Sequence, residues 1–217
     1  IREMEDNNSM NSCLMLAIGL YTPVELGSIF DSADYKGTGL ELDSHITLLY
    51  AQGKILPRKM IKEDIKTILG DTGWESLNDW ISGISRIKVF ELFELGSFEN
   101  DSDYLVLKMK KDHDTYSLFN LINLGLKKKY GVKSEFTEYS PHITLAELNP
   151  GTAKKYLESD CLKKVLSDSL IDFEDLIISF GYSGEESDRK QYFLTQYKNI
   201  DRYFRLRNLK EGNKELE

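Results

Sequence analysis

The stretch His-Ile-Thr-Leu at residues 45–48 recurs unchanged at residues 142–145. Each copy lies in a run where apolar and polar residues alternate, which is typical of a half-buried β-strand. In a strand, residues i and i+2 point to the same face. We therefore expect His45 with Thr47, and His142 with Thr144, to face a cleft, and the Ile and Leu of each copy to face the core.

All three histidines of the chain have a threonine two positions later. With ten threonines among 217 residues, composition alone gives a chance of about 0.05 for each histidine. His113-Asp-Thr115 lies at the polar start of a predicted helix, where residues i and i+2 do not share a face. We expect this third pair to lie on the surface without a functional role, and the two identical copies to form a site.

Strand and helix patterns alternate along the chain and predict an α+β fold. Strands are predicted at 14–21, 45–50, 84–95, 104–109, 142–147, 173–182 and 191–197, and helices at 23–35, 57–70, 74–81, 112–130 and 150–168. The polar stretch 96–103 is interpreted as a hairpin loop. Each histidine-bearing strand is followed by a helix and then a hairpin. We therefore expect a single domain over residues 1–197, made of two related lobes that meet near 96–112, and a polar C-terminal tail over 198–217.

The formal net charge of −8 argues against a partner that is a long nucleic acid. Such proteins carry a basic face, because phosphate contacts dominate their affinity. A small phosphate ligand enclosed in a pocket fits the charge better. The oligomeric state is left open.

No apolar run reaches the roughly 18 residues that cross a bilayer, and the apolar run 13–21 has neither the basic flank nor the cleavage site of a signal peptide. We therefore expect no membrane partner and a cytoplasmic location. Because the first residue is Ile1, we expect the chain to be part of a longer product. The two cysteines, Cys13 and Cys161, are too far apart in sequence to suggest a disulfide framework and are expected to be buried.

A pair of histidines suits the cleavage of a phosphodiester. One group must deprotonate the attacking hydroxyl and another must protonate the leaving oxygen, and histidine titrates near neutral pH. Each threonine hydroxyl can donate to a non-bridging phosphate oxygen. No two histidines are close in sequence and no cysteine pair has ligand spacing, so we expect no metal site and no cofactor.

The pair His45-Ile-Thr47-Leu and Ser140-Pro-His142-Ile-Thr144-Leu-Ala resembles the 2H phosphoesterase superfamily. The resemblance covers about residues 14–197. It implies two pseudo-symmetric lobes of antiparallel sheet with helices outside, and an active site in the cleft between them. It also implies a metal-independent hydrolase in which the two histidines are the catalytic acid and base. Which histidine plays which part stays open.

A narrower resemblance concerns Gly19-Leu-Tyr21 and the run 39–50, Gly-Leu-Glu-Leu-Asp-Ser-His-Ile-Thr-Leu-Leu-Tyr. These look like the phage anti-CBASS nucleases of that superfamily, which cleave cyclic di- and trinucleotide immune signals. Alternative substrates are 2′,5′-linked oligoadenylates and RNA ends with a 2′,3′-cyclic phosphate. Two non-catalytic alternatives are a protein that sequesters a nucleotide and a module that binds RNA ends.

Aromatic side chains near the motifs are candidates for stacking on a base. Tyr21, Tyr139 and Trp74 are predicted to bind substrate, Tyr139 because it lies in a loop three residues before His142. Tyr50 and Phe136 are interpreted as packing residues.

Overall fold

Antiparallel strands and helices alternate in the computed structural model, which describes residues 10–83, 86–133, 138–182 and 189–195. In this part of the chain the strands are β1 (Met10–Tyr21), β2 (Tyr35–Leu40), β3 (His45–Ala51), β4 (Ile87–Lys88), β5 (Phe93–Glu99), β6 (Asp103–Met109), β7 (His142–Leu148), β8 (Leu170–Tyr182) and β9 (Lys190–Phe193). The helices are α1 (Ile61–Ser82), α2 (Val89–Leu92), α3 (Asp114–Tyr130), α4 (Ala153–Leu157) and α5 (Asp160–Ser167). The class is α+β, as predicted.

The strands form one curled sheet in the order β4-β8-β1-β3-β7-β6-β5, with β9 beside β8 and β2 beside β7. All of these pairs are antiparallel. The two motif strands, β3 and β7, are neighbours in the middle of this order and pair at Ile46 and Ile143. The fold therefore brings together two motifs that are far apart in sequence.

The two halves of the sheet do not correspond to the two halves of the chain, which corrects the predicted succession of lobes. The hairpin β5–β6, from the middle of the chain, pairs with β7 through β6. The strand β8, near the other end, pairs with β1 over most of its length. Each side of the β3–β7 junction thus contains strands from distant parts of the sequence, because strand pairing depends on long-range packing that local patterns do not encode.

The main apolar core lies on one face of the sheet, under α1 and α3. Along β1, Leu14, Leu16 and Ile18 are buried in this core, whereas Met15 and Ala17 between them are partly exposed on the other face. The helix α3 packs on β3 and α1 packs on β8. The partly exposed His45 and His142 lie on the opposite face from the one that α1 and α3 cover, and we call this the histidine face.

The helix α3 has the boundaries that capping chemistry favours, with one correction. It begins after His113, not after the predicted cap Asp112, because the His113 Nδ1 accepts a hydrogen bond from the Thr115 backbone N–H at 3.2 Å. It ends at Gly131, whose φ of 62° is the left-handed conformation that glycine adopts without strain.

The third histidine–threonine pair is not on the surface. Thr115 is fully buried, and its hydroxyl lies 2.7 Å from the His113 Nδ1. The half-buried His113 ring contacts Trp80 edge-on. The cap conformation turns His113 back over the first turn, so the expectation of two side chains on different faces was wrong.

Other predicted elements need correction. Residues 23–35 contain two short 3-10 turns in place of a helix, because Phe30 is their only buried residue. Residues 150–168 form two short helices, α4 and α5, since the Ser159 side chain accepts from the Leu162 N–H and starts a new helix. The helix α1 runs through both predicted helices, with a break at Gly70, where φ is 70°.

The middle hairpin is longer than predicted. The strands β5 and β6 extend into the predicted loop 96–103 and leave only residues 100–102 between them. Within 84–95, the structure has the short strand β4 and the helical turn α2 before β5 begins, and residues 84–85 lie outside the described part.

The remaining expectations concern the cysteines, the membrane and the tail. Cys13 is partly exposed and Cys161 is exposed, so neither is the fully buried residue that was expected. No helix in the described part of the chain is long and apolar enough to cross a membrane. The predicted tail 198–217 lies outside the described residues.

Candidate active site

The two motif strands present their histidine and threonine side chains on the same face of the sheet. In β3 and β7 the His and Thr are partly exposed, whereas the Ile and Leu of each motif are buried. On β1, Ala17 lies opposite His45 and Met15 lies opposite Thr47, so these two residues belong to the same face. The alternation predicted from the sequence is confirmed.

The pairing of Ile46 with Ile143 relates the motifs by an approximate two-fold axis. Since β3 and β7 are antiparallel, this register brings each histidine beside the threonine of the other motif. A ligand over the junction can therefore meet an imidazole from either side and a hydroxyl from either side.

Both histidines are oriented by the same local hydrogen bond. The Nδ1 of His45 lies 2.7 Å from the Asp43 carbonyl oxygen, and the Nδ1 of His142 lies 2.8 Å from the Ser140 carbonyl oxygen. A carbonyl oxygen only accepts, so Nδ1–H is the donor in each ring. The Nε2 of each ring is then the nitrogen that can take or give a proton.

The surroundings of the two histidines differ. Burial lowers the pKa of His142, and electrostatic effects of Lys108 and of the neighbouring His45 lower it further, against the opposing effect of the hydrogen bond to Ser140. The Phe98 ring contacts the His142 ring edge-on at 4.8 Å between centroids. The neutral imidazole is therefore favoured at His142.

Cys13 lies on β1 beside the Thr47 side chain. Burial raises the pKa of Cys13 to about 11, against the lowering effect of a hydrogen bond with the Thr47 side chain. A thiol with so high a pKa stays protonated at neutral pH and is a poor nucleophile. Cys13 thus contributes a hydrogen-bond partner for Thr47.

Tyr139 joins the two motifs through the backbone. It precedes the strand of His142, and its hydroxyl donates to the Thr47 carbonyl oxygen of the other motif at 2.7 Å. Its own carbonyl accepts from the Tyr116 hydroxyl of α3 at 3.3 Å. Burial raises the pKa of Tyr139, so the phenol stays protonated and can donate. The structure therefore brings Tyr139 to the site as a tie between the strands, packed against the core.

Removing this tie is expected to destabilise the junction. Tyr139→Phe should lower the free energy of unfolding by about 1–2 kcal/mol, because the Thr47 carbonyl loses its partner in a part-buried position. Urea unfolding followed by circular dichroism measures the change. Tyr50→Phe is the matched control, since Tyr50 is 52% exposed, and should change stability by less than about 0.5 kcal/mol. Equal stability of the two variants would contradict the tie.

Tyr21 and Trp74 are not adjacent to the histidines. Tyr21 lies four residues beyond Ala17 on β1, roughly 13 Å along the strand, and Arg86 stacks on its ring at 3.6 Å. Trp74 lies in α1, on the core side of the sheet, with the Lys62 and Lys66 ammonium groups 5.9 and 5.2 Å from its ring.

Tyr50 and Phe136 were interpreted as packing residues. Tyr50 is exposed, because it is the last outward-facing residue of β3 before Ala51 ends the strand. Phe136 lies outside the described residues.

Phe98 and Lys108 are site residues that sequence reasoning missed. Lys108 lies opposite His142 on β6, and its ammonium group is 4.4 Å from the centroid of the Phe98 ring. The alternation of Leu105, Leu107 and Met109 could have indicated that Lys108 faces away from the core. The pairing of β6 with β7, which brings it to His142, has no local signal.

Comparison with protein-family models found no match, and comparison with curated proteins found none. Among the described residues, no three His, Cys, Asp or Glu side chains cluster so that they could hold a metal ion.

Proposed function

We propose that the chain is a metal-independent phosphodiesterase that cleaves a small nucleotide by acid–base catalysis with His45 and His142. The observation that carries this proposal is the matched pair of imidazoles, each with its Nδ1 bound to the carbonyl two residues earlier. Two rings oriented alike across a two-fold junction are suited to flank one phosphorus atom. In this proposal the two sides of the junction are the lobes of a 2H phosphoesterase-like fold.

The chemistry assigns one role to each ring. A base Nε2 takes the proton of the attacking hydroxyl, from ribose or water, as the new P–O bond forms. An acid Nε2–H gives its proton to the leaving oxygen as the old P–O bond breaks. The hydroxyls of Thr47 and Thr144 donate to the non-bridging oxygens, where charge increases. No step requires a metal ion.

The environment of His142 favours it as the base, which leaves the role of acid to His45. His142 is largely buried, contacts the Phe98 ring edge-on and lies near the Lys108 ammonium group on β6, and burial is the main cause of its lowered pKa. A neutral imidazole is the form that accepts a proton. This assignment holds for a substrate whose attacking hydroxyl lies on the His142 side of the phosphorus atom.

This assignment predicts the acidic limb of the pH profile. The plot of log kcat/KM should rise with pH through a pKa below the usual value of about 6.5, because His142 must be neutral and its pKa is lowered. Lys108→Met removes a charge that lowers this pKa, so the limb should move to higher pH. Initial rates between pH 4.5 and 8 measure the shift, and a limb that moves to lower pH in this variant would contradict the assignment.

A cyclic di- or trinucleotide, as in phage evasion of CBASS immunity, is the leading substrate, and the site of action would be the host cytoplasm. The net charge of −8 agrees with a small ligand. The alternatives are 2′,5′-oligoadenylates and RNA 2′,3′-cyclic ends, which the same two histidines could cleave.

Turnover in EDTA tests the proposal. The protein is incubated with cyclic di- and trinucleotides, 2′,5′-oligoadenylate and an RNA with a 2′,3′-cyclic phosphate, and products are identified by mass spectrometry. Cleavage of one class in chelator supports the proposal. Tight binding of a nucleotide without any cleavage would contradict it and favour a sequestering protein, and cleavage that EDTA abolishes would indicate a metallophosphodiesterase.

A further inference from the structure

Lys108 is a cation of the histidine face to which the reaction scheme gives no contact with the substrate. It lies opposite His142 in the β6–β7 register, and Glu94 lies opposite it on β5. Its side chain runs across Gly96, where a Cβ atom would come within 3.1 Å of the Lys108 Cε, so glycine leaves the space that the lysine occupies. The Lys108 side chain therefore extends over β5, on the side of His142 away from β3.

The ammonium group of Lys108 is supported by an aromatic ring in place of a carboxylate. Its Nζ lies 4.4 Å from the centroid of Phe98, which also contacts His142. Among the residues that the structure describes, the ion pairs use other cations, and none joins Lys108 to a carboxylate, Glu94 included. A cation–π contact positions the charge but does not neutralise it.

Such an uncompensated charge beside a histidine opposes protonation of that histidine and favours an anionic ligand. A phosphate over the β3–β7 junction lies between the two motifs. Lys108 lies outside that junction, over strands β6 and β5, which are each about 4.8 Å further away. An anion that meets Lys108 directly is therefore a neighbour of the phosphate that reacts.

We propose that Lys108 binds a second phosphate of the substrate, adjacent to the scissile one on the β5–β6 side of His142. The substrate class is then a nucleotide with at least two phosphodiester groups, linear or cyclic, and not a mononucleotide 2′,3′-cyclic phosphate. This inference rests on the proposed function, because that function places the scissile phosphate at the junction.

Binding is measured in the His45→Ala background, which leaves His142, Phe98 and Lys108 in place and prevents turnover. The probes are cyclic di-AMP and cyclic di-GMP, with two phosphodiesters, and the 2′,3′-cyclic monophosphates of adenosine and guanosine, with one. Isothermal titration calorimetry gives Kd for each probe. Adding Lys108→Met is expected to raise the Kd of each cyclic dinucleotide by about tenfold or more. The Kd of each cyclic mononucleotide should stay within about twofold of the parent value. Lys108→Arg should restore dinucleotide binding.

Lys128→Met is the matched control, since it removes the same charge from an exposed position on α3, and should leave every Kd unchanged. Equal weakening of both probe classes would place Lys108 on the scissile phosphate and overturn the inference. So would unchanged dinucleotide binding, or no dinucleotide binding by the parent. Turnover by the wild-type protein decides the proposed function separately: selective weakening without turnover would retain the Lys108 subsite and reject the enzyme.

Discussion

Replacing either motif histidine with alanine is expected to lower kcat/KM by roughly a hundred- to ten-thousand-fold, the usual contribution of a general acid or base. The Nδ1 of His45 and the Nδ1 of His142 are each held by a backbone carbonyl, so the Nε2 of each ring should carry out one of the two proton transfers. The double variant should lose little more than the worse single variant, because the two groups act as a unit. Product formation in EDTA from the nucleotide panel measures the loss.

His113→Ala is the matched control for these variants. It removes the third histidine that has a threonine two positions later, but this residue caps α3 and contacts Trp80. Its kcat/KM should be unchanged, while the loss of the cap should lower the free energy of unfolding by about 1 kcal/mol. Activity that survives in both His45→Ala and His142→Ala would reject the two-histidine mechanism.

Truncating the residues that join the two motifs should destabilise the whole chain. Ile46 and Ile143 are fully buried and lie opposite each other where β3 meets β7. Each isoleucine-to-alanine change should lower the free energy of unfolding by about 2–5 kcal/mol, through lost burial and the cavity that remains. The two losses should not add, because neighbouring residues share one cavity and couple by about 0.5–3 kcal/mol.

Denaturant unfolding of the wild-type protein, the two single variants and the double variant gives a double-mutant cycle that measures this coupling. Leu121→Ala is a suitable control, because Leu121 is 48% exposed on α3 and should change stability by less than about 0.5 kcal/mol. One shared transition is expected, since strands of both chain halves lie on each side of the junction. Additive losses in two separate transitions would show instead that the two sides of the sheet unfold independently.

Local patterns in the sequence predicted the parts of the site that depend on a single strand. The alternation in the two His-Ile-Thr-Leu stretches was sufficient to predict which side chains are buried, because a strand has a period of two. The helix that ends at Gly131 followed from its apolar spacing and its glycine stop. The predicted helix at 23–35 is absent, and Phe30 is the only fully buried residue of that segment, so no continuous apolar face stabilises a helix there.

Contacts between strands explain most of what the sequence did not predict. Tyr139 was expected to stack on a base because it lies in a loop near His142. Its hydroxyl instead donates to the Thr47 carbonyl, a partner 92 positions away in sequence. Lys108 gives a local signal for its face but none for the strand beside it. Such pairings are chosen by the packing of the whole sheet.

The sequence by itself thus determined that the protein has an α+β fold and two like strands, each with a histidine and a threonine on its outward face. Periodicity and turn chemistry act over a few residues, so they can be read without knowledge of the neighbours. Only the tertiary structure decided that β3 lies beside β7, that β8 pairs with β1, and that Phe98 and Lys108 surround His142. These arrangements depend on burying one shared core between distant segments, and the free energy of that burial belongs to no single stretch of the chain.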